Sequence, residues 1–285
     1  MNKTTTSTPS IEPIRIMANW INERHNIYLK KERGEPKPWT NDPILQQYRF
    51  CNVYREYDKE TKWIHLNWLY PNEHHPLLYV NMALARFINW SPTLAYIKFQ
   101  KEWDPEKLKR LLKIREKSGE KLWTGAYIVS TNGRKMNKID YIVDYVLEPL
   151  ATLGRNPVNG ESLELYWEFL CQFDGIGSFM AAQIIADLKF ARPMTNARDW
   201  WVWAAMGPGS KRGLNRVMGR DKDYQLGQKQ FLKELTRLRN EIKPLLGAHI
   251  TEISAQDMQN VCCEFDKVMR VVNNEGRPRS KYAGD

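Results

Sequence analysis

The sequence predicts an all-α fold, and three observations carry that expectation. Apolar residues recur at the helical period in most segments from Ile14 to Arg270. Strand-like composition is confined to Trp123–Val129, followed by the turn signal Asn132-Gly133. The best-defined motif, Leu163 to Leu188, reads as two helices around a glycine turn. Leu163, Trp167, Leu170 and Cys171 recur at helical spacing before it, and Phe179, Ala182, Ile185 and Leu188 after it. Between them stands Asp174-Gly175-Ile176-Gly177, where glycines allow a tight turn and close approach of another molecule.

A helix, a Gly-hydrophobic-Gly turn and a second helix read as a helix-hairpin-helix. In that motif the turn amides and the open N–H groups of the second helix hold a DNA phosphate. Ile176 would plug the core, and Gly175, Gly177 and Ser178 would meet the DNA backbone. The plain alternative is an αα-turn with glycine caps.

The other elements follow in chain order. Residues 1–13 are polar and low in complexity, and are expected to be a disordered tail. Ile14 to Arg33 reads as a helix ended by Gly34. Pro36, Pro38 and Pro43 make residues 34–43 an ordered loop. Ile44 to Leu69 reads as a long helical region in which Arg49, Asn52 and Arg55 crowd one side. Two readings of that stripe stand level: a solvated face with an exposed Arg55–Asp58 pair, or a polar wall that binds phosphate and base edges. Leu77–Asn89, Asp104–Lys117 and Ile139–Leu150 read as helices. At Trp123–Val129 a strand and a loop packed near a ligand are equally open. Gly207-Pro208-Gly209-Ser210 reads as a loop whose amides and Ser210 face an anion, beside Lys211, Arg212 and Arg216; a basic surface turn is the plain alternative. Gln225–Leu246 is helical, with Pro244 near its end. Ser254-x-x-Asp257 resembles a capping box that opens a last helix, followed by a basic tail.

The 285 residues fit one large domain or two small ones. A net charge of +10 and a pI near 9.3 point to a polyanionic partner such as DNA or RNA. The 11 Trp and 13 Tyr suit a core and also base stacking. No apolar run is long enough for a bilayer and no signal segment is visible, so a cytoplasmic protein is expected. Cys51, Cys171, Cys262 and Cys263 lack Cys-x-x-Cys spacing and read as reduced thiols. No metal-ligand spacing and no cofactor motif occurs. No P-loop occurs either, which argues against a nucleotide-dependent kinase.

Beyond the hairpin the chain resembles the helix-hairpin-helix DNA glycosylases. Their catalytic Asp lies a little over twenty residues past the first hairpin glycine, and Asp199 lies twenty-four past Gly175. The lyase branch carries a Lys two residues past the second glycine. Phe179 stands there, so base excision with strand cleavage is not expected.

An ordered set of stretches covering residues 14 to 282 resembles a more particular family. The set comprises Glu23-Arg24 through Ile27-Tyr28, Pro38 to Leu45, Tyr48 to Asp58, Gly125-Ala126-Tyr127, Phe173 to Phe179, Gly207 to Asn215, Cys263 to Lys267, and Gly276-Arg277-Pro278. It is similar to the α-glutamyl/putrescinyl thymine pyrophosphorylases, or amino acid:DNA transferases, of phage thymine hypermodification. These are related to the helical domain of 5-hydroxymethyluracil DNA kinases. The resemblance implies an all-α, helix-hairpin-helix DNA-glycosylase-like bilobal fold. It divides the chain into the tail, an N-terminal helical region (14–150), a hairpin and active-site loop region (151–220), and a C-terminal helical region (221–285) packing back on the N-terminal part.

The implied reaction replaces the pyrophosphate of 5-(pyrophosphoryloxymethyl)uracil in double-stranded phage DNA with an amine, from an amino acid or a polyamine. A 5-hydroxymethyluracil DNA kinase is the implied partner. The leaving group needs cations: Ser210, Lys211, Arg212, Asn215 and Lys267, with Arg49, Asn52 and Arg55, are the binding candidates. The amine must lose a proton: Asp199 is the first candidate, with Glu264 and Asp266 in reserve. Trp200, Trp201 and Trp203 are candidate wedges for an extruded base, or core. Two other readings stay open: a monofunctional glycosylase using Asp199, and a non-catalytic DNA-binding module beside the kinase.

Overall fold

Helix forms wherever the apolar period is sustained. The computed structural model describes residues 11–124, 129–153, 160–192, 194–278 and 281. In chain order the helices are α1 (Ile11–Glu32), α2 (Pro43–Gln47), α3 (Lys59–Ile64), α4 (Leu78–Ile88), α5 (Ser91–Ile97), α6 (Pro105–Lys117), α7 (Lys138–Asp140), α8 (Glu148–Ala151), α9 (Leu163–Leu170), α10 (Ser178–Leu188), α11 (Pro208–Val217), α12 (Gln228–Ile242) and α13 (Ala255–Val272). π-Helical turns extend α3 through His65–Leu69 and join α7 to α8 through Tyr141–Leu147. Among the described residues no strand forms; an isolated bridge links Tyr48 to Lys281. The strand-like stretch, with Gly125-Ala126-Tyr127, falls on 125–128, outside the described residues, as do residues 1–10 of the expected tail. The first helix begins at Ile11, inside that tail, with Pro13 in its first turn where no N–H is needed.

Two units divide the chain: residues up to Asp58 together with those from Trp201 onward, and Lys59–Trp200. The divisions expected at 150 and 220 therefore fall within units. The first unit is held by one apolar core. Met17 and Ile21 of α1, Leu214 and Val217 of α11, Phe231, Leu235 and Leu238 of α12, and Val261 and Phe265 of α13 bury together.

The long helix expected from Ile44 to Leu69 does not form. Asp42 caps α2 by accepting the Ile44 and Leu45 N–H groups, but α2 stops at Gln47. Tyr48 turns extended, and Tyr48 and Phe50 bury while Arg49 between them is exposed. That alternation has the period of a strand, not a helix. Arg49, Asn52 and Arg55 therefore share no helix face.

In the second unit α4 is buried along its whole length and packs on α10. The α9–turn–α10 hairpin forms as its pattern predicts. Gly175 has φ +79, and a Cβ there would lie 2.5 Å from Val146 Cγ2 and 2.8 Å from the Tyr141 hydroxyl. Conformation and crowding thus both demand glycine. Ile176 is buried, while Gly177 and Ser178 are exposed. Behind the hairpin, Asp187 of α10 is fully buried against Arg86 of α4 and the His65 Nε2, the latter at 2.9 Å. Arg86 also donates to Thr61 at 3.0 Å and Asn89 at 3.2 Å.

Candidate functional site

Charged side chains converge in the first unit, where α11, α13 and the 48–58 connection meet. Close helix approach makes this possible. A Cβ at Gly213 would stand 1.9 Å from the Cys262 carbonyl oxygen, and one at Gly209 would stand 2.5 Å from Cys263 Sγ. Gly209 and Gly213 are one turn apart and let α11 lie directly on α13. Gly207-Pro208-Gly209-Ser210 is thus the start of a helix rather than an anion-facing loop. Ser210 is buried and turned inward: its hydroxyl accepts from the Gly207 N–H (3.0 Å) and from Gln259 Nε2 (3.2 Å). Asn215 is likewise internal, donating to the Lys222 and Tyr224 carbonyls and accepting from Arg220. Both side chains are engaged in internal hydrogen bonds.

α13 begins where Ser254-x-x-Asp257 places it, as a reciprocal capping box. One side of it carries Asn260, Cys263, Glu264, Lys267 and Arg270, each three or four residues from another of the set. Glu264 is 2% exposed; it accepts from the Cys51 N–H (3.2 Å) and from Lys267 Nζ. Asp266 is buried and accepts from Arg212 Nε and Arg216 Nε, each at 2.9 Å.

The 48–58 connection is tied to the same place by side chains. Arg24 of α1 donates to the Cys51 and Phe50 carbonyls and to Asn52 Oδ1 (2.7 Å). Asn260 donates to the Asn52 carbonyl (3.4 Å) and the Arg55 N–H reaches Asp257 (3.3 Å). Asp58 accepts from the Asn52 N–H at 2.8 Å.

These surroundings shift the titrations. Burial raises the Asp58 carboxyl above its ordinary value, against the pull of Asn52, Arg55 and Arg24. Burial also raises Cys51 and Cys263, with Glu264 adding to the effect. At Lys267 burial works against the charge, but Glu264 outweighs it and holds the ammonium above the ordinary lysine value. At neutral pH both thiols stay protonated and Lys267 stays charged, so none of the three is poised as a nucleophile. The cluster is suited to binding an anion and to accepting a proton at a carboxylate.

Of the residues expected at a site, Asn52, Arg55, Arg212, Glu264, Asp266 and Lys267 come together here. Lys211 lies at the edge, donating to Gln225 at 3.1 Å. Arg49 is exposed. The hairpin residues Gly175, Gly177 and Ser178 belong to the other unit, as does Asp199. Both Asp199 oxygens are taken up in capping α9: Oδ1 accepts from the Leu163 N–H (2.7 Å), and Oδ2 from the Ser162 hydroxyl (2.7 Å) and the Glu164 N–H (3.0 Å). Its distance from the hairpin glycine serves helix capping in this chain. Asp199→Ala should cost about 1 kcal/mol of stability, read as a lower urea midpoint. A midpoint equal to wild type would show that the cap contributes nothing.

Of the tryptophans, Trp203 is core, Trp200 donates to the Lys189 carbonyl (2.8 Å), and Trp201 is 46% exposed. Arg216, expected beside the Gly207–Ser210 turn, also lies here, whereas Arg24, Asp58, Arg270, Cys51 and Cys263 were not expected at the site. The i,i+4 spacings Arg212–Arg216 and Asp266–Arg270 were visible in the sequence, but read alone they describe an ordinary surface. A small cleft lined by Arg239, Lys243, Thr251 and Met258 includes none of these groups. Among the described residues no helix is long and apolar enough to cross a membrane, and no group of three or more His, Cys, Asp or Glu could hold a metal.

Residues 12–277 match the family described as 5-hmdU DNA kinase, helical domain. The chain is also similar to a 5-hmdU DNA kinase of Bacillus phage SP10, 30% identical over 285 residues, covering 86% of this chain and 43% of the relative. It therefore spans less than half the length of that curated relative. No solved structure matches it. With nearly its whole length inside the match, the chain belongs to the 5-hmdU DNA kinase helical-domain family.

Proposed function

We propose that this chain modifies thymine-derived bases in phage DNA, replacing the pyrophosphate of 5-(pyrophosphoryloxymethyl)uracil with an amine at the α11–α13 cluster. Membership of the 5-hmdU DNA kinase helical-domain family carries the reading toward 5-hydroxymethyluracil in DNA. The chemistry of the cluster suits the step itself. In that step the C–O bond to the base methylene breaks and pyrophosphate leaves with the bonding pair. A C–N bond forms, and the amine gives up one proton.

Arg212, Lys211 and Lys267 offer positive charge to the departing oxyanion, the electrostatic contribution that dominates such reactions. Arg55 stands close enough to Asp58 and Cys51 for its charge to act on both. Glu264 and Asp58 are the carboxylates placed to take the amine proton. Asp58 is favoured because it is only partly exposed and its carboxyl is held above the ordinary value, nearer to where an amine proton could be accepted. Asp199 takes no part in the step; it holds α9. The exposed hairpin turn at Gly175, Gly177 and Ser178 serves as the phosphate-backbone contact.

The test is to incubate the protein with duplex bearing pyrophosphorylated 5-hydroxymethyluracil and a mixture of amino acids and putrescine, then digest and weigh the nucleosides. A nucleoside whose mass fits an amine in place of pyrophosphate is the expected product. Unchanged pyrophosphorylated nucleoside, with DNA binding intact, would overturn it. That outcome would favour a second reading, a helical module acting alongside a 5-hmdU DNA kinase. The match to less than half of such a kinase specifically supports that alternative.

A further inference from the structure

Three guanidiniums converge on the buried Asp266. Its Oδ1 accepts from Arg216 Nε at 2.9 Å, while its Oδ2 accepts from Arg212 Nε at 2.9 Å and faces Arg270 Nε at 3.7 Å. The three are not equivalent. Arg216 is itself largely buried, and its terminal nitrogens are taken by Glu275, so its charge is matched twice over. Arg212 and Arg270 share a single carboxylate oxygen. Arg270 Nε is buried and makes no hydrogen bond. The terminal nitrogens of Arg212 make none with the described residues. The two side chains are 32% and 31% exposed. One fork is thus hydrogen-bonded to that oxygen and the other lies beside it, and each side chain is about a third exposed.

A surface salt-bridge network would match each fork with its own carboxylate. Here two positive charges stand against half of one negative group, and donors are left unused. A partly desolvated guanidinium with open donors is costly until acceptors fill them. The acceptors that fit a fork are paired oxyanion oxygens. Two forks side by side fit two linked phosphoryl groups better than one.

We infer that Arg212 and Arg270, oriented by Asp266, form a two-armed clamp for a diphosphate, one arm to each phosphoryl group. This rests on the pyrophosphate-displacement reading above and adds Arg270 to its binding residues. It also assigns Asp266 as a positioning residue rather than a proton acceptor, since guanidiniums surround both of its oxygens.

The experiment is calorimetric titration of the purified chain with inorganic pyrophosphate and with orthophosphate at low salt. Pyrophosphate should bind at least about tenfold more tightly than orthophosphate, and Arg270→Met should erase about tenfold of that affinity. Asp266→Asn is the sharper variant. Removing a negative charge strengthens anion binding to a simple basic patch, whereas the clamp predicts weaker binding because Arg212 loses its charged hydrogen-bond partner and Arg270 the carboxylate that it faces. If Asp266→Asn fails to fold, judged by its melting curve, the part-exposed Arg270→Met still decides. Full pyrophosphate affinity in Arg270→Met, or equal affinity for the two anions, would overturn the clamp. Displacement of bound pyrophosphate by unmodified duplex, weakened by the same variant, would overturn it too, by giving the arms to the DNA backbone.

The clamp and the transferase reading fail separately. Selective pyrophosphate binding without an amine-bearing nucleoside leaves the clamp standing and removes the transferase. An amine-bearing nucleoside formed at the wild-type rate by Arg270→Met does the reverse.

Discussion

Asp187→Asn should lower the unfolding free energy of the Lys59–Trp200 unit by about 3–5 kcal/mol, the cost of leaving a buried ion without its partner. Arg86 would remain among the most deeply buried large side chains of the protein while losing the Asp187 carboxylate that its guanidinium meets. His65, whose ring reaches the same carboxylate, would lose its partner at the same time. Urea denaturation followed by circular dichroism measures the effect, and a loss under about 1 kcal/mol would show that the Arg86 charge does not depend on Asp187.

The same residue sets a pH dependence. Burial by itself would raise the Asp187 carboxyl, but Arg86 and His65 outweigh it and depress the value from 3.8 to about 2. A depressed carboxylate stabilises the fold above its unfolded value and loses that contribution as pH falls through the folded one. Wild-type stability should therefore fall between about pH 4 and pH 2, and Asp187→Asn should flatten that part of the curve.

Gly213→Ala should be the most damaging single-methyl change in the first unit, at about 3 kcal/mol or more. The added Cβ would meet a main-chain carbonyl, 1.9 Å from the oxygen and 2.6 Å from the carbon of Cys262. Neither can rotate aside, so α11 must lift away from α13. Gly209→Ala meets the Cys263 sulfur instead, at 2.5 Å, and that side chain can turn away. The expected order of urea midpoints is wild type, then Gly209→Ala, then Gly213→Ala. Because Arg212 flanks Gly213 and Asp266 sits on α13, Gly213→Ala should also weaken pyrophosphate binding where the protein remains folded. Equal midpoints for the two alanine variants would mean that the helices are not pressed together at Gly213.

Most of the helices were legible in the sequence because their signals are local. The Leu163–Leu188 pattern placed α9, the turn and α10. Ser254-x-x-Asp257 placed the start of α13, and Gly34 the end of α1. Periodicity and capping depend on residues within one or two turns, and one dimension contains them all. The same locality explains the failure at Tyr48–Tyr54. There the apolar spacing satisfied a helix, but burial against α1 and α13 imposed an extended course on it.

The residues of the candidate site divide along the same line. Glu264, Lys267 and Asp266 stood out because α13 is a clear helix. Arg216 stood beside the Gly207–Ser210 turn in the sequence, but only folding set it and Arg270 against one buried carboxylate. Ser210 and Asn215 looked like ligands until the fold turned them inward. Asp199 looked catalytic because a sequence offset measures distance along the chain, whereas both of its oxygens are spent on the start of α9.

By itself, then, the sequence determined the helical class, the α9–turn–α10 pair, the cap of α13, and a strongly basic charge. Tertiary structure alone decided that Gly209 and Gly213 are packing residues, that Arg24 and Asn260 hold the 48–58 connection, and that Asp266 gathers three guanidiniums. The physical reason is that helix formation and capping are short-range, whereas desolvation and charge pairing depend on what the rest of the chain brings alongside.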